Sequence, residues 1–230
     1  APANVAASVV KLGGEAVFLG QVGDDSFGRF LVETLKDVNI DTSMTKMEGC
    51  TTLAFVAIDE NGERDFEFNR GSDGEYSFDS IDLSRITKDD VLHFGSATGF
   101  LEGELKNTYF KLLDYAKENN MFISFDPNYR DALITEEKLT QFIEDSKTFT
   151  KDADFVKLSD EEVKLITKKE ELNEGVDELH KIGAKVVAIT LGAEGTLISN
   201  GNEKAIVPSI KIKQVDSTGA GDSFVGAVLK

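Results

Sequence analysis

Short apolar runs of β type alternate along this chain with amphipathic helical runs, and that rhythm restricts the fold more than any other feature. Val17-Phe18-Leu19-Gly20 predicts a short strand, and Ser26 to Val38 a helix with Phe27, Phe30, Leu31, Leu35 and Val38 near one face. Val91-Leu92-His93-Phe94, Met121-Phe122-Ile123-Ser124-Phe125, Phe155-Val156-Lys157-Leu158 and Lys185-Val186-Val187-Ala188-Ile189-Thr190 predict further strands. Helices are predicted from about Glu102 to Glu118, from Glu136 to Lys147, from near Ser159 (carrying Val163, Leu165 and Ile166) and from Leu172 to Ile182. Strands that alternate with helices argue for an α/β fold, a mostly parallel sheet covered on both faces.

Two stretches depart from the rhythm. Thr51 to Ile58 and Arg64 to Phe68 are β-like and joined by Asp59-Glu60-Asn61-Gly62-Glu63, whose Asn-Gly pair suits a tight turn with positive φ. A hairpin projecting from the main sheet is expected there. Thr196 to Asn200 and Lys204 to Val207 predict a second hairpin, turning at Asn200-Gly201-Asn202, and Gly71 to Glu75 is the most loop-like interior stretch. A chain of 230 residues can bury one substantial core, so one large domain, with at most a small appendage, is expected. It starts at Ala1 without a Met, inside a helix-like pattern, and ends inside another, Gly226-Ala227-Val228-Leu229-Lys230. Truncation at both ends is the expectation.

Charge bounds the partners. With 42 acidic and 25 basic residues the formal charge is −17, a field that repels nucleic acid and anionic lipid at long range. No apolar run approaches the ~18 residues of a membrane span. The single cysteine, Cys50, excludes an intrachain disulfide and any multi-cysteine metal site, and a reduced compartment, the cytoplasm, is expected.

The chemistry is concentrated in Asp216-Ser217-Thr218-Gly219-Ala220-Gly221-Asp222-Ser223-Phe224-Val225-Gly226-Ala227, reached by a strand-like approach from Ile210 to Val215. Small residues let backbone amides come close to a ligand, and a helix that starts there aims unpaired N–H groups and its positive dipole end at an anion. Gly219, Ala220 and Gly221 are candidate anion-hole residues. Asp222 falls in the first turn, where the helix end favours the ionised carboxylate and so a base at neutral pH. Phosphoryl transfer needs this pair of features, a stabilised phosphate charge and an acceptor for the hydroxyl proton. A plain helix start with a stabilising first-turn acid accounts for the same residues about as well.

The segment Asp216-x-Thr218-Gly219-Ala220-Gly221-Asp222, followed by Gly226-Ala227, resembles the C-terminal signature of ribokinase-like (PfkB) carbohydrate kinases. Ala1-Pro2-Ala3-Asn4-x-Ala6, Gly13 and Gly23 stand at the spacing of that family's N-terminal signature, and Gly20-Gln21-Val22-Gly23-Asp24-Asp25-Ser26-Phe27-Gly28 resembles its Gly-x-Val-Gly-x-Asp-x-x-Gly turn. Phe125-Asp126-Pro127-Asn128-Tyr129-Arg130, Lys157-Leu158-Ser159-Asp160-Glu161-Glu162 and Thr190-Leu191-Gly192-Ala193-Glu194-Gly195-Thr196 look like family blocks in their expected places. The resemblance covers essentially the whole chain. The Asp-Pro-Asn-x-Arg form and Phe68-Asn69-Arg70-Gly71 look like fructokinases and 2-keto-3-deoxygluconate kinases, and the Ala-Pro-Ala-Asn start and Lys-Leu-Ser-Asp-Glu-Glu block favour fructokinase.

The resemblance implies a three-layer ribokinase-like sandwich in one domain over residues 1–230, with residues 49–72 forming part of a small β lid that closes on the sugar and can pair with a second subunit. It implies ATP and Mg²⁺, with K⁺ in many relatives. Asp222 is then the catalytic base, and Gly219, Ala220 and Gly221 form the anion hole. Asn4, Arg70, Asp126, Asn128 and Arg130 are implied as sugar contacts. Lys157, Ser159, Glu162, Thr190, Gly192 and Gly195 are implied on the nucleotide side. Glu162 would organise Mg²⁺ through water, and Ser159 stands where the family has Asn. Asp216 and Thr218 match two positions of the monovalent-cation site, whose other ligands would lie beyond Lys230.

Other residues take plainer readings. His93 in an apolar strand is expected to be a hydrogen-bonded structural histidine, His180 an exposed one, and the 16 Phe residues core packing. Three functions are distinguished: an ATP-dependent fructokinase, a 2-keto-3-deoxygluconate kinase using Arg70 or Arg130 for the substrate carboxylate, and a sugar- or nucleotide-binding protein without catalysis.

Overall fold

The computed structural model describes residues 1–58, 64–96, 98–213 and 215–230. The chain runs through helix α1 (Pro2–Lys11), strand β1 (Gly20–Val22), α2 (Ser26–Asp37), β2 (Thr45–Met47), β3 (Leu53–Ile58), β4 (Arg64–Asn69) and β5 (Val91–Gly95). It continues through α3 (Glu104–Glu118), β6 (Phe122–Asp126), α4 (Glu136–Asp152), β7 (Phe155–Ser159), α5 (Asp160–Thr167) and α6 (Leu172–Ile182). β8 (Val186–Thr190), β9 (Thr196–Ser199), β10 (Lys204–Val207) and α7 (Ala220–Leu229) complete it.

The main sheet has six strands in the order β10-β9-β8-β7-β6-β5. β5 to β8 are parallel, with Val91 opposite Phe122 and Phe155 opposite Val186, while β9 and β10 return antiparallel. Parallel strands buried on both faces must be apolar throughout, and Phe125, Val156, Leu158, Val187 and Ile189 are almost wholly excluded from water. Helix α4 brings Phe149 against Phe94, Phe100 and Phe125, with ring centroids 5.0 to 5.4 Å apart. These phenylalanines pack the core, as expected.

β1 and β2 form a separate parallel pair, and β3 and β4 an antiparallel pair. The predicted turn at Asn61-Gly62 lies outside the described residues. A cleft of about 930 Å³ runs along α1 and the β5 edge and is lined by Val5, Val9, Phe18, Leu92 and Phe94 among others.

Several expectations need correction. The strand predicted at Val17–Gly20 sits later, at Gly20–Val22, and Val17 makes only an isolated bridge to Asp41. β2 was not expected. The helix predicted to end at Lys147 continues to Asp152, because Phe149 belongs to its buried face. Phe27, Phe30 and Leu31 are exposed, and α2 buries Gly28 and Val32 instead. Ile210 to Val215 forms no strand among the described residues, since an apolar run without a neighbouring ladder has no partner for its amides; Ile210, Ile212 and Val215 stand in solvent. His180 is not exposed but half-buried, joining the end of α6 to β9 through the Ala184 carbonyl and the Ser199 hydroxyl, both at 2.8 Å.

Candidate active site

The ends of β6 and β7, the loops that follow them and the start of α7 converge at the carboxyl edge of the parallel strands, the place where open α/β sheets bind ligands. α7 begins from Gly219 at φ +73°, a left-handed conformation that glycine adopts freely. Asp216 sets the approach, accepting from the Thr218 amide at 2.8 Å and its hydroxyl at 2.7 Å. The Ala220 amide donates to the Ser217 carbonyl at 3.0 Å. Among the described residues the amides of Gly219, Gly221 and Asp222 have no hydrogen-bond acceptor. The free amides at this helix start are thus those of Gly219, Gly221 and Asp222, while that of Ala220, one of the three residues expected to line an anion hole, is already used.

Asp222 is half-buried and accepts from the Asn4 side-chain amide at 2.8 Å. Asn4, implied as a sugar contact, thus touches the candidate base in this state. Two signatures at opposite ends of the chain meet because α1 and α7 cross closely: Ser8 donates to the Ser223 carbonyl at 3.0 Å, and a Cβ on Gly226 would stand 2.5 Å from that of Ser8.

Under this helix start lies a buried charge cluster. Asp126 is 2% exposed and Lys157 7%, and the ammonium stands 3.3 Å from the carboxylate. Burial pushes the Asp126 carboxyl up to about 6, with Lys157 opposing and Glu162 adding to the rise. Asp126 also accepts from the Asn128 amide at 3.0 Å, which holds Asn128 in a left-handed conformation at φ 45°. The Asn128 side-chain nitrogen is buried with no partner among the described residues. A Cβ on Gly221 would stand 3.0 Å from the Lys157 ammonium, so a cation lies directly under the start of α7.

Glu162 is buried with both oxygens engaged, one accepting from the Tyr129 amide and the other from the Ser159 amide, each at 2.7 Å, which leaves a further lone pair on each. Ser159 answers by accepting from the Glu162 amide at 3.1 Å, a capping box that starts α5. Ser159 and Glu162 therefore have a local structural role. Among the described residues no three His, Cys, Asp or Glu side chains cluster to cage a metal. Glu162 suits a water-shelled Mg²⁺ carried on phosphates better than a bare ion.

The remaining implied residues divide. Gly192, at φ 57°, faces open space, whereas a Cβ on Gly195 would strike the Val207 carbonyl at 2.1 Å, so Gly195 is required by packing. Thr190 donates to the Leu158 carbonyl at 3.3 Å and ties β8 to β7. Arg70 is turned to the Glu102 and Thr98 carbonyls and to Asp73 at 3.6 Å, anchoring the base of β4, and Arg130 is exposed and bonded to the Tyr129 carbonyl. His93 is held neutral, its pKa lowered to about 4 by burial, with Nδ1 3.0 Å from the Ser124 hydroxyl. The hydrogen bond is the one expected, while Nε2 is buried with no partner among the described residues.

Sequence reasoning attached no role to Asp25. Its carboxylate accepts from the Gly28 amide at 2.8 Å, capping α2, and from the Thr51 amide at 2.8 Å and hydroxyl at 2.7 Å, clamping the root of β3. These bonds hold its pKa down, to about 2. An Asp just before a helical run is the sequence signal that could have found the cap.

The model of the pfkB carbohydrate kinase family matches residues 1–230. Fructokinase-1 from Zea mays is 37% identical over 237 aligned positions, which take in 100% of this chain and 72% of that protein. Fructokinase-1 from Oryza sativa subsp. japonica is 36% identical, with the same coverage of 100% and 72%. A structure of fructokinase from Vibrio cholerae O395 with fructose, ADP and potassium ion bound is 33% identical with a TM-score of 0.89, over 99% of this chain and 73% of that one. With the whole chain matched, and with relatives this similar along its length, the chain belongs to the pfkB family of carbohydrate kinases.

Proposed function

We propose that this protein is an ATP-dependent fructokinase that forms fructose 6-phosphate. The sugar hydroxyl attacks the γ-phosphorus, the bond to the bridging oxygen breaks, ADP leaves, and the hydroxyl proton passes to Asp222. The free amides of Gly219, Gly221 and Asp222 stabilise the charge on the transferring phosphoryl. Asn4 holds one face of the Asp222 carboxylate and leaves the other for the hydroxyl. The observation that carries this reading is the juxtaposition of unbonded amides and a carboxylate at the start of α7. Relatives whose structures contain fructose and ADP, or ATP in the enzyme from Xylella fastidiosa, support the substrates. Gly192 faces open space and suits the nucleotide side. Mg²⁺ would travel with ATP and meet Glu162 through water, supplying charge neutralisation. Asp216 and Thr218 alone offer too few oxygens for a potassium cage.

The arginines bear on the acceptor. Arg70 is turned to carbonyls and Asp73, while Arg130 is exposed and holds only the Tyr129 carbonyl, so Arg130 is the arginine left for a substrate carboxylate; the relatives with fructose bound are what favour fructose. We also propose pairing of two copies through β3 and β4, since a two-stranded ribbon is marginal alone and Phe55 is 55% exposed. Among the described residues no helix is long and apolar enough to cross a membrane, and the cytoplasm is the proposed compartment. A panel of sugars with ATP and Mg²⁺, followed by ADP release, tests the reading. Turnover of fructose is the expected result, and turnover of the keto-acid alone would overturn it.

A further inference from the structure

We infer that Lys157 is a catalytic contact to the transferring phosphoryl group, and that Asp126 is the positioning residue that holds it there and does not touch the sugar. This deepens the kinase reading and rests on it. The Lys157 side chain is 9% exposed and that of Asp126 3%, so both charges have left water. At 3.3 Å the pair is looser than a charge-assisted hydrogen bond between buried partners, about 2.7–2.9 Å. A buried ion pair with such geometry is a poor source of stability, because desolvation outweighs the attraction. An ammonium has three N–H donors, and Asp126 meets one side of it. The other side faces Gly221, so close that a Cβ there would stand 3.0 Å from Nζ. Gly221 is also a residue whose amide has no acceptor among the described residues.

One phosphate oxygen can therefore accept from the Gly221 amide and the Lys157 ammonium together. A side chain at position 221 would displace the ammonium from this spot, since Nζ is the end of a flexible stem and would move aside. Asp126 is in no position to serve fructose. Its carboxylate lies at the buried end of β6, occupied by Lys157 and by the Asn128 amide. Phosphate arriving beside Gly221 would meet repulsion from Asp126 unless the ammonium, which contacts both, screened it.

Steady-state kinetics of the intact protein test this. Lys157→Met should lower kcat about 10²–10³-fold and leave the KM for fructose within about twofold. Asp126→Asn should lower kcat by a smaller factor and add nothing to the Lys157→Met variant, as expected for two residues acting as one unit. A second readout is independent of turnover and of a general loss of fold: Lys157→Met should retain ADP binding but lose the added affinity for ADP with aluminium fluoride, a mimic of the phosphoryl in flight. A raised fructose KM with unchanged kcat in Asp126→Asn, additive effects, or undiminished binding of the aluminium fluoride complex would each overturn the inference. Absence of sugar-dependent ADP release from the unsubstituted protein would instead overturn the kinase reading, and this inference with it.

Discussion

At Gly226 the helices α1 and α7 cross so closely that a methyl group would stand 2.5 Å from the Ser8 Cβ and 2.7 Å from the Val5 carbonyl oxygen. Gly226→Ala should therefore destabilise the fold by about 1–3 kcal/mol, as overpacking does, and lower activity by moving Asn4 away from Asp222. Denaturant titration measures the first effect and kcat the second; a fully stable variant would show that the crossing can relax. His180→Ala should cost about 1–3 kcal/mol, because it strands the Ser199 hydroxyl and the Ala184 carbonyl that it now joins. The base and the small residues around it were legible because their roles are local: small residues before a helix and an acid in its first turn. The partners of those residues were not. That Asp126 faces Lys157, or that His180 reaches Ser199, depends on strand pairing and helix packing that no short window of sequence contains.

Elements were most legible where their own residues settle them. α6 begins and ends where its amphipathic pattern predicts, with Gly183 at φ 138° closing it. Ile210 to Val215 failed because alternation predicts a strand only when a neighbour supplies the other half of its hydrogen bonds. The α2 periodicity identified an apolar face rightly but could not say whether anything covers it. The clamp between the β1–α2 turn and the start of β3 makes a prediction at this scale. The Asp25 pKa is depressed from 3.8 to about 2, so its bonds stabilise the fold above pH 3.8 and are lost as pH falls through 2. Melting temperature followed from pH 5 downwards should fall less steeply in Asp25→Asn than in the unsubstituted protein, from a lower starting value. Parallel curves would remove Asp25 from the acid limb.

Across the whole molecule, among the exposed apolar side chains of the described residues two runs stand out, Phe27, Phe30 and Leu31 on α2, and Ile206, Val207, Ile210, Ile212 and Val215 on the edge strand β10 and the segment that follows it. Apolar exposure of this extent marks contact surfaces. The 230-residue chain on its own should self-associate in a concentration-dependent way, and replacing Ile210, Ile212 and Val215 by Ser should reduce light scattering at equal concentration; unchanged scattering would acquit that edge. The fold class was open to sequence reasoning because the βα rhythm runs the length of the chain, whereas the division into separate strand pairs was not, since pairing is a property of the assembled sheet. What joins residue, element and molecule is the helix start that faces phosphate with its amides and sugar with its carboxylate. Asp222→Asn in the intact protein tests that most directly. We expect kcat for fructose to fall about 10²–10⁴-fold with the dissociation constant for ATP nearly unchanged; turnover equal to that of the unsubstituted protein would contradict the assignment of Asp222 as the base.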